Sequence, residues 1–228
     1  MQLLRTMNQT DKGRMWRAVN PTPGTAIAGA NTTAFADTAA LFALYNNSSA
    51  GVVAGAAPPG RMIYPSYLRL IVASGQTTAT SFQLAVSIDT KQRGVTADAG
   101  AAKTVADSDG IGVDLTAGAP LPTAASISLV QFGALTPAAA SPKRAFVMRS
   151  SAKTQAAPAL TVGDEIFISF GGDDLGPGPI SGAAANRIVV PTDLVALGPG
   201  GLMLVHAWGP AGTVAPQFEY EAGWAELS

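Results

Sequence analysis

The chain has one histidine, His206, and any acid–base or nucleophilic chemistry by an imidazole must start there. It sits inside the apolar run Leu202–Trp208. In an extended strand it shares a face with Leu202, Leu204 and Trp208. An imidazole titrates near neutrality, so it could act as a general base or as a pH-sensitive contact at an oligomer interface. The chain contains no Gly-x-Ser-x-Gly elbow to supply a partnering nucleophile. Among leucines and a tryptophan, His206 reads instead as a packed sheet residue. The segment Asp107-Ser-Asp-Gly-Ile-Gly-Val-Asp114 places hard oxygen ligands at alternate positions beside a glycine, as a calcium loop does. The twelve-residue spacing of such loops is not met, no glutamate closes it, and Asp98 would add a ligand only by folding back. Asp107, Asp109 and Asp114 therefore read as turn residues, with calcium as the open alternative. Asp173 and Asp174, after Gly171 and Gly172, read the same way. No catalytic, cofactor-binding or metal-ligating residue is expected.

Other ligands leave equally little trace. Gly198-Pro-Gly-Gly201 lacks the lysine and the following helix of a phosphate loop. Arg5, Lys12, Arg14 and Arg17, with Asp11 among them, make a mildly basic N-terminal arm, in which Met15, Trp16 and Val19 offer anchors for a first strand before Pro21-Thr-Pro-Gly24. Four cations are a weak nucleic-acid signal, and a solvated or partner-docking arm is the expectation. Aromatic residues make up only 7% and fall on presumed inward faces. That disfavours a sugar-stacking platform, with Trp16, Tyr64, Tyr67 and Trp224 as its only candidates. Met1–Met7 is too short an apolar run for a signal peptide, and no segment reaches the length of a membrane span. Neither nucleic acid nor membrane is expected as a partner.

The composition bears on how such a chain lives. Charged residues are 13%, about half the usual share, against 47% hydrophobic. A freely diffusing monomer normally shows more lysine and glutamate, so an oligomer or assembly component is expected. A high-GC gene would raise alanine, glycine and proline equally well. There is no cysteine, which removes disulfides and thiolate chemistry. The net charge of −1 conceals two unequal parts. Residues 1–154 carry 13 Lys/Arg and 7 Asp/Glu, a balance of +6; residues 155–228 carry 1 against 8, a balance of −7. Separate halves would make a dipole; an interleaved fold would mix the charges, which is the expectation for one all-β domain.

The elements that must position these residues are strands. Ser81–Asp89 alternates strictly, Phe82, Leu84, Val86 and Ile88 against Ser81, Gln83, Ala85, Ser87 and Asp89, which predicts a half-buried strand. In Met62–Ser74, Leu68, Leu70 and Val72 alternate with Tyr67, Arg69 and Ile71, and the two segments read as a hairpin. Further strands are expected at Ser126–Phe132, Ala145–Arg149, Asp164–Gly171, Arg187–Val190, Gly201–Trp208 and Gln217–Ala222. Leu41–Tyr45 is either a strand or part of two helical turns. The prediction is one all-β antiparallel domain of about eight to ten strands over 21–228. A short arm over 1–20 precedes it, and a long loop falls at about 90–125. Uneven loops favour Greek-key crossings over an up-and-down barrel, hence a jelly-roll β-sandwich.

Two blocks carry a resemblance. Residues 58–89, PPGRMIYPSYLRLIVASGQTTATSFQLAVSID, resemble the early strands of jelly-roll structural proteins of tailed bacteriophages. Residues 191–227, PTDLVALGPGGLMLVHAWGPAGTVAPQFEYEAGWAEL, resemble their closing strands, with a Pro-Gly-Gly turn and a Gly-Trp-x-Glu-like finish. The resemblance covers about 70 residues and leaves the middle of the chain uncovered. It implies a virion protein of the capsid decoration (cement) type. Such a protein is made in the host cytoplasm, is usually trimeric, and clamps neighbouring capsomers on the capsid exterior. Its partners would be the major capsid protein lattice and its own copies, and it would carry no catalytic residues. The alternative from another class is a glycan- or receptor-binding sandwich module of a phage fibre, a phage spike or a lectin. An enzyme of cupin type needs a His/Glu metal cluster that one histidine does not supply.

Overall fold

The computed structural model describes residues 13–19, 24, 26–28, 32–46, 61–75, 81–90, 113–114, 130–135, 137, 139–154, 160–171, 187–209 and 216–227. Among these there are twelve strands and no helix. They are β1 (Gly13–Val19), β2 (Ile27–Ala28), β3 (Ala40–Tyr45), β4 (Met62–Ser74), β5 (Ser81–Asp89) and β6 (Val113–Asp114), followed by β7 (Val130–Leu135), β8 (Ala145–Thr154), β9 (Glu165–Phe170), β10 (Arg187–Thr192), β11 (Leu202–Trp208) and β12 (Gln217–Leu227). One sheet runs β10-β9-β4-β12-β1-β6, with β2 also on β12; the other runs β7-β3-β11-β5-β8.

Eight of these strands form the frame. In space they read β1-β12-β4-β9 over β3-β11-β5-β8, so first pairs with last and second with second-last. That is a long antiparallel hairpin rolled into two sheets, the jelly roll. The remaining four strands extend the sheets, β10 parallel to β9 and the others antiparallel.

Between the sheets the alternating apolar faces meet. Leu68, Leu70, Val72, Ile166, Ile168 and Phe218 of one sheet pack toward Phe42, Phe82, Leu84, Val86 and Val205 of the other, all at most 1% exposed. Phe132 stacks on Tyr220 at 3.5 Å between ring centroids, and Phe82 lies 6.1 Å from Phe218. Burying each such side chain contributes about 1.5–3 kcal/mol.

The fold corrects several expectations. Met62–Ser74 and Ser81–Asp89 are not a hairpin: β4 and β5 lie in different sheets. Each strand has one apolar face, and those faces bury each other across the sandwich instead of side by side. Nor is β5 half-buried, because Ala85, Ser87 and Asp89 on its other face are also buried. The same holds for β11, buried along its whole length. Of the arm expected over 1–20, the segment from Gly13 on is not an arm but the first strand that Met15, Trp16 and Val19 offered, with Trp16 and Ala18 in the core. Leu41–Tyr45 is strand throughout. Of the loop at 90–125, Thr90 and the short β6 are described; residues 91–112 and 115–125 lie outside the described residues.

Candidate interaction face

Since the outer face of β11 and much of β5 is covered, the open sheet face lies on the other side, over β1, β12, β4 and β9. Register decides what it presents. Glu221 stands opposite Arg69 on one side and Val19 on the other, Arg69 opposite Phe167, and Ile71 between Glu219 and Glu165. Alternation turns all of these outward, because Ala18, Leu68, Leu70, Ile166, Ile168, Tyr220 and Ala222 turn in.

The charged members form a ladder across four strands. Arg17 Nη2 lies 3.0 Å from Glu221 Oε2, Arg69 Nη1 lies 3.8 Å from the same oxygen, and Arg69 Nη2 donates to Glu165 Oε2 at 3.1 Å. The arginine side chains are 43% and 35% exposed, the glutamates 20% and 16%. The guanidiniums thus stand outermost on a carboxylate layer. The bond to Glu165 holds the Arg69 guanidinium above its ordinary pKa, partly offset by burial.

Tyr67 completes this arrangement. Its hydroxyl donates to Glu221 Oε1, and its ring stacks on Phe167 at 5.7 Å with 11° between planes. The ring leans over Gly223, where any Cβ would collide with Cε1 of Tyr67. Burial raises the Tyr67 pKa, and the bond to Glu221 and that residue's charge raise it further.

The ladder joins the two unequal charge halves of the sequence. Arg17 and Arg69 belong to the basic part, Glu165 and Glu221 to the acidic part, and the first-with-last strand order sets them side by side. A second such pair is buried. Arg61 Nη1 donates to Glu226 Oε2 at 3.2 Å, and Trp224 Nε1 donates to Glu226 Oε1 at 3.1 Å. Nearby, Asn46 Nδ2 donates to the carbonyls of Arg61 and Leu197, tying two segments together.

The residues singled out from sequence fall elsewhere. His206 does share its face with Leu202, Leu204 and Trp208, and it is 1% exposed. The Phe35 ring lies 5.1 Å from the imidazole and 5.5 Å from the Trp208 ring, while His206 Nε2 stands 3.4 Å from the Asp37 carbonyl oxygen. The Asp37 carboxylate itself pairs with Arg144, whose guanidinium lies 4.8 Å above the Phe146 ring. Asp98, Asp107, Asp109, Asp173 and Asp174 lie outside the described residues, and Asp114 is described only through the backbone pairing of β6 with β1. Among the described residues no three His, Asp or Glu side chains gather as metal ligands would. Trp16 and Trp224 are core residues, 6% and 0% exposed, so neither offers a surface ring. Arg17 reads from sequence only as part of a basic arm, and Arg69, Glu165 and Glu221 as ordinary solvated charges, until the strand order brings each to its partner. The one available signal was their place opposite apolar residues in alternating segments of opposite net charge.

The fold and this face define an all-β jelly-roll sandwich with an open, charged sheet face. No family model, no curated protein and no solved structure matches the chain.

Proposed function

We propose that the chain is a non-enzymatic structural protein of a tailed-phage particle. In this reading it is a capsid decoration protein that sits as a homotrimer on the outer shell and ties neighbouring capsomers together. One observation carries it. The two blocks that resemble such proteins are far apart in sequence, yet β12 pairs with β4 and β11 pairs with β5. The resemblance thus falls on the central strands of both sheets, a contiguous frame and not two scattered fragments. Rigidity supports the same role, since cross-strand ion pairs on the open face and a buried pair in the core both join the beginning of the chain to its end. The arm that would reach across the lattice is confined to residues 1–12, because Gly13 begins a sheet strand. Contacts of that kind are individually weak and act together through multivalency.

The test is to mix purified protein with undecorated capsids and image them. Added density at the lattice symmetry axes, together with a trimer by light scattering, is the expected result. Bare capsids after saturation, or a monomer both in solution and on the shell, overturn the proposal.

A further inference from the structure

Between β1, β12 and β4 the open face holds a shallow groove of about 260 Å³, lined by Arg17, Val19, Arg69, Ile71, Glu219, Tyr220 and Glu221. Val19 and Ile71 supply its apolar surface. Its charged groups balance, two guanidiniums against two carboxylates. The ladder leaves part of each cation uncommitted among the described residues. Arg17 and Arg69 make their closest ion pairs through Nη2, and Arg69 Nη1 stands beyond hydrogen-bond distance of Glu221. Glu219 Oε1 accepts from the Gly24 amide at 2.8 Å, and the Glu219 carboxylate is part of the groove lining.

Donors and acceptors that alternate around a wall of zero net charge suit a ligand whose polar atoms both donate and accept. A hydroxyl does both, whereas a carboxylate only accepts and an ammonium only donates. A sugar ring adds an apolar C–H face for Val19 and Ile71. The groove is smaller than the roughly 300–1,000 Å³ of drug-sized pockets, so it has room for about one ring. We infer that this groove on the open sheet face binds one ring of a neutral saccharide. The bound ring sets its hydroxyls between Arg17, Arg69 and Glu219 and its C–H face on Val19 and Ile71. A contact of about a dozen heavy atoms in an open groove gives a Kd on the order of 1 mM.

The inference is independent of the virion role, and its readout is separate from capsid binding. Saturation-transfer NMR and calorimetry are run with glucose, galactose, mannose and N-acetylglucosamine, and with N-acetylneuraminic acid and free lysine as charged probes. Binding of at least one neutral sugar is expected. Ile71→Trp, which fills the groove, abolishes it, and Glu219→Gln weakens it by about tenfold, because a neutral amide replaces the carboxylate of a charge-assisted hydrogen bond. Thermal melting checks that each variant folds; should Ile71→Trp fail to, Glu219→Gln alone decides. No binding by any neutral sugar, binding by the charged probes alone, or affinity unchanged in the folded variants overturns the inference.

Discussion

Glu226 is a carboxylate shut away from water, 1% exposed, and its bonds to Arg61 and Trp224 bear on what its loss would do. Glu226→Ala takes the Glu226 ion pair from the buried Arg61 and the acceptor from Trp224 Nε1. Stripping one member of a buried ion pair costs about 3–5 kcal/mol, and urea denaturation should record a loss of that size. Tyr67 is a residue-scale probe of another kind. Its folded pKa lies above the ordinary 10.0 because the phenol is half-buried and bonded to Glu221. The unfolded chain therefore gives up this proton first as pH rises. Stability conferred by Tyr67 is fully present below about pH 10 and declines above it. Urea melts across that range should show the decline in the native protein, and Tyr67→Phe should flatten it. Neither role was legible beforehand. Alternation carries Glu226 to the inward face with Phe218, Tyr220, Ala222 and Trp224, but it does not name Arg61 as the partner that lets a carboxylate sit there. The register of β12 on β4 shifts between Gly223 and Trp224, which brings Ile63 inside although it is out of step with Leu68 and Leu70.

At the scale of elements, β1 is the strand on which most depends. It lies between β12 and β6, buries Trp16 and Ala18, and supplies Arg17 to the ladder. Deleting residues 1–19 bares the edge of β12 and opens the core beneath Trp16. Circular dichroism should show no cooperative melting of the truncated chain, and native-like melting would contradict this account. The elements also mark where sequence reading succeeds. Strict alternation in Ser81–Asp89 and in Glu165–Phe170 identifies strands and the inward faces of Phe82, Leu84, Ile166 and Ile168. Alternation says which way a side chain turns but not which strand lies alongside. That is why β4 and β5, neighbours in sequence, were read as a hairpin though they face each other across the core. For the same reason β1 looked like an arm: Arg14 and Arg17 suggested solvent, and the partner of Arg17 is Glu221, at the far end of the chain. The candidate face is built entirely from such distant pairings.

For the whole molecule, a +6 part and a −7 part become a fold without a gross charge divide, at least across the described strands. The first-with-last strand order does this, and it also sets how the chain carries load. Gly13 lies opposite Leu227, where β1 begins and β12 ends, so both strands reach the same corner of the sandwich. Tension applied between those two residues therefore meets the β1·β12 hydrogen bonds one pair at a time, as a zip is opened. Tension that enters at that corner and leaves through another part of the sheet loads many bonds together. The protein is thus mechanically directional: weak when peeled at this corner and strong when sheared along its strands.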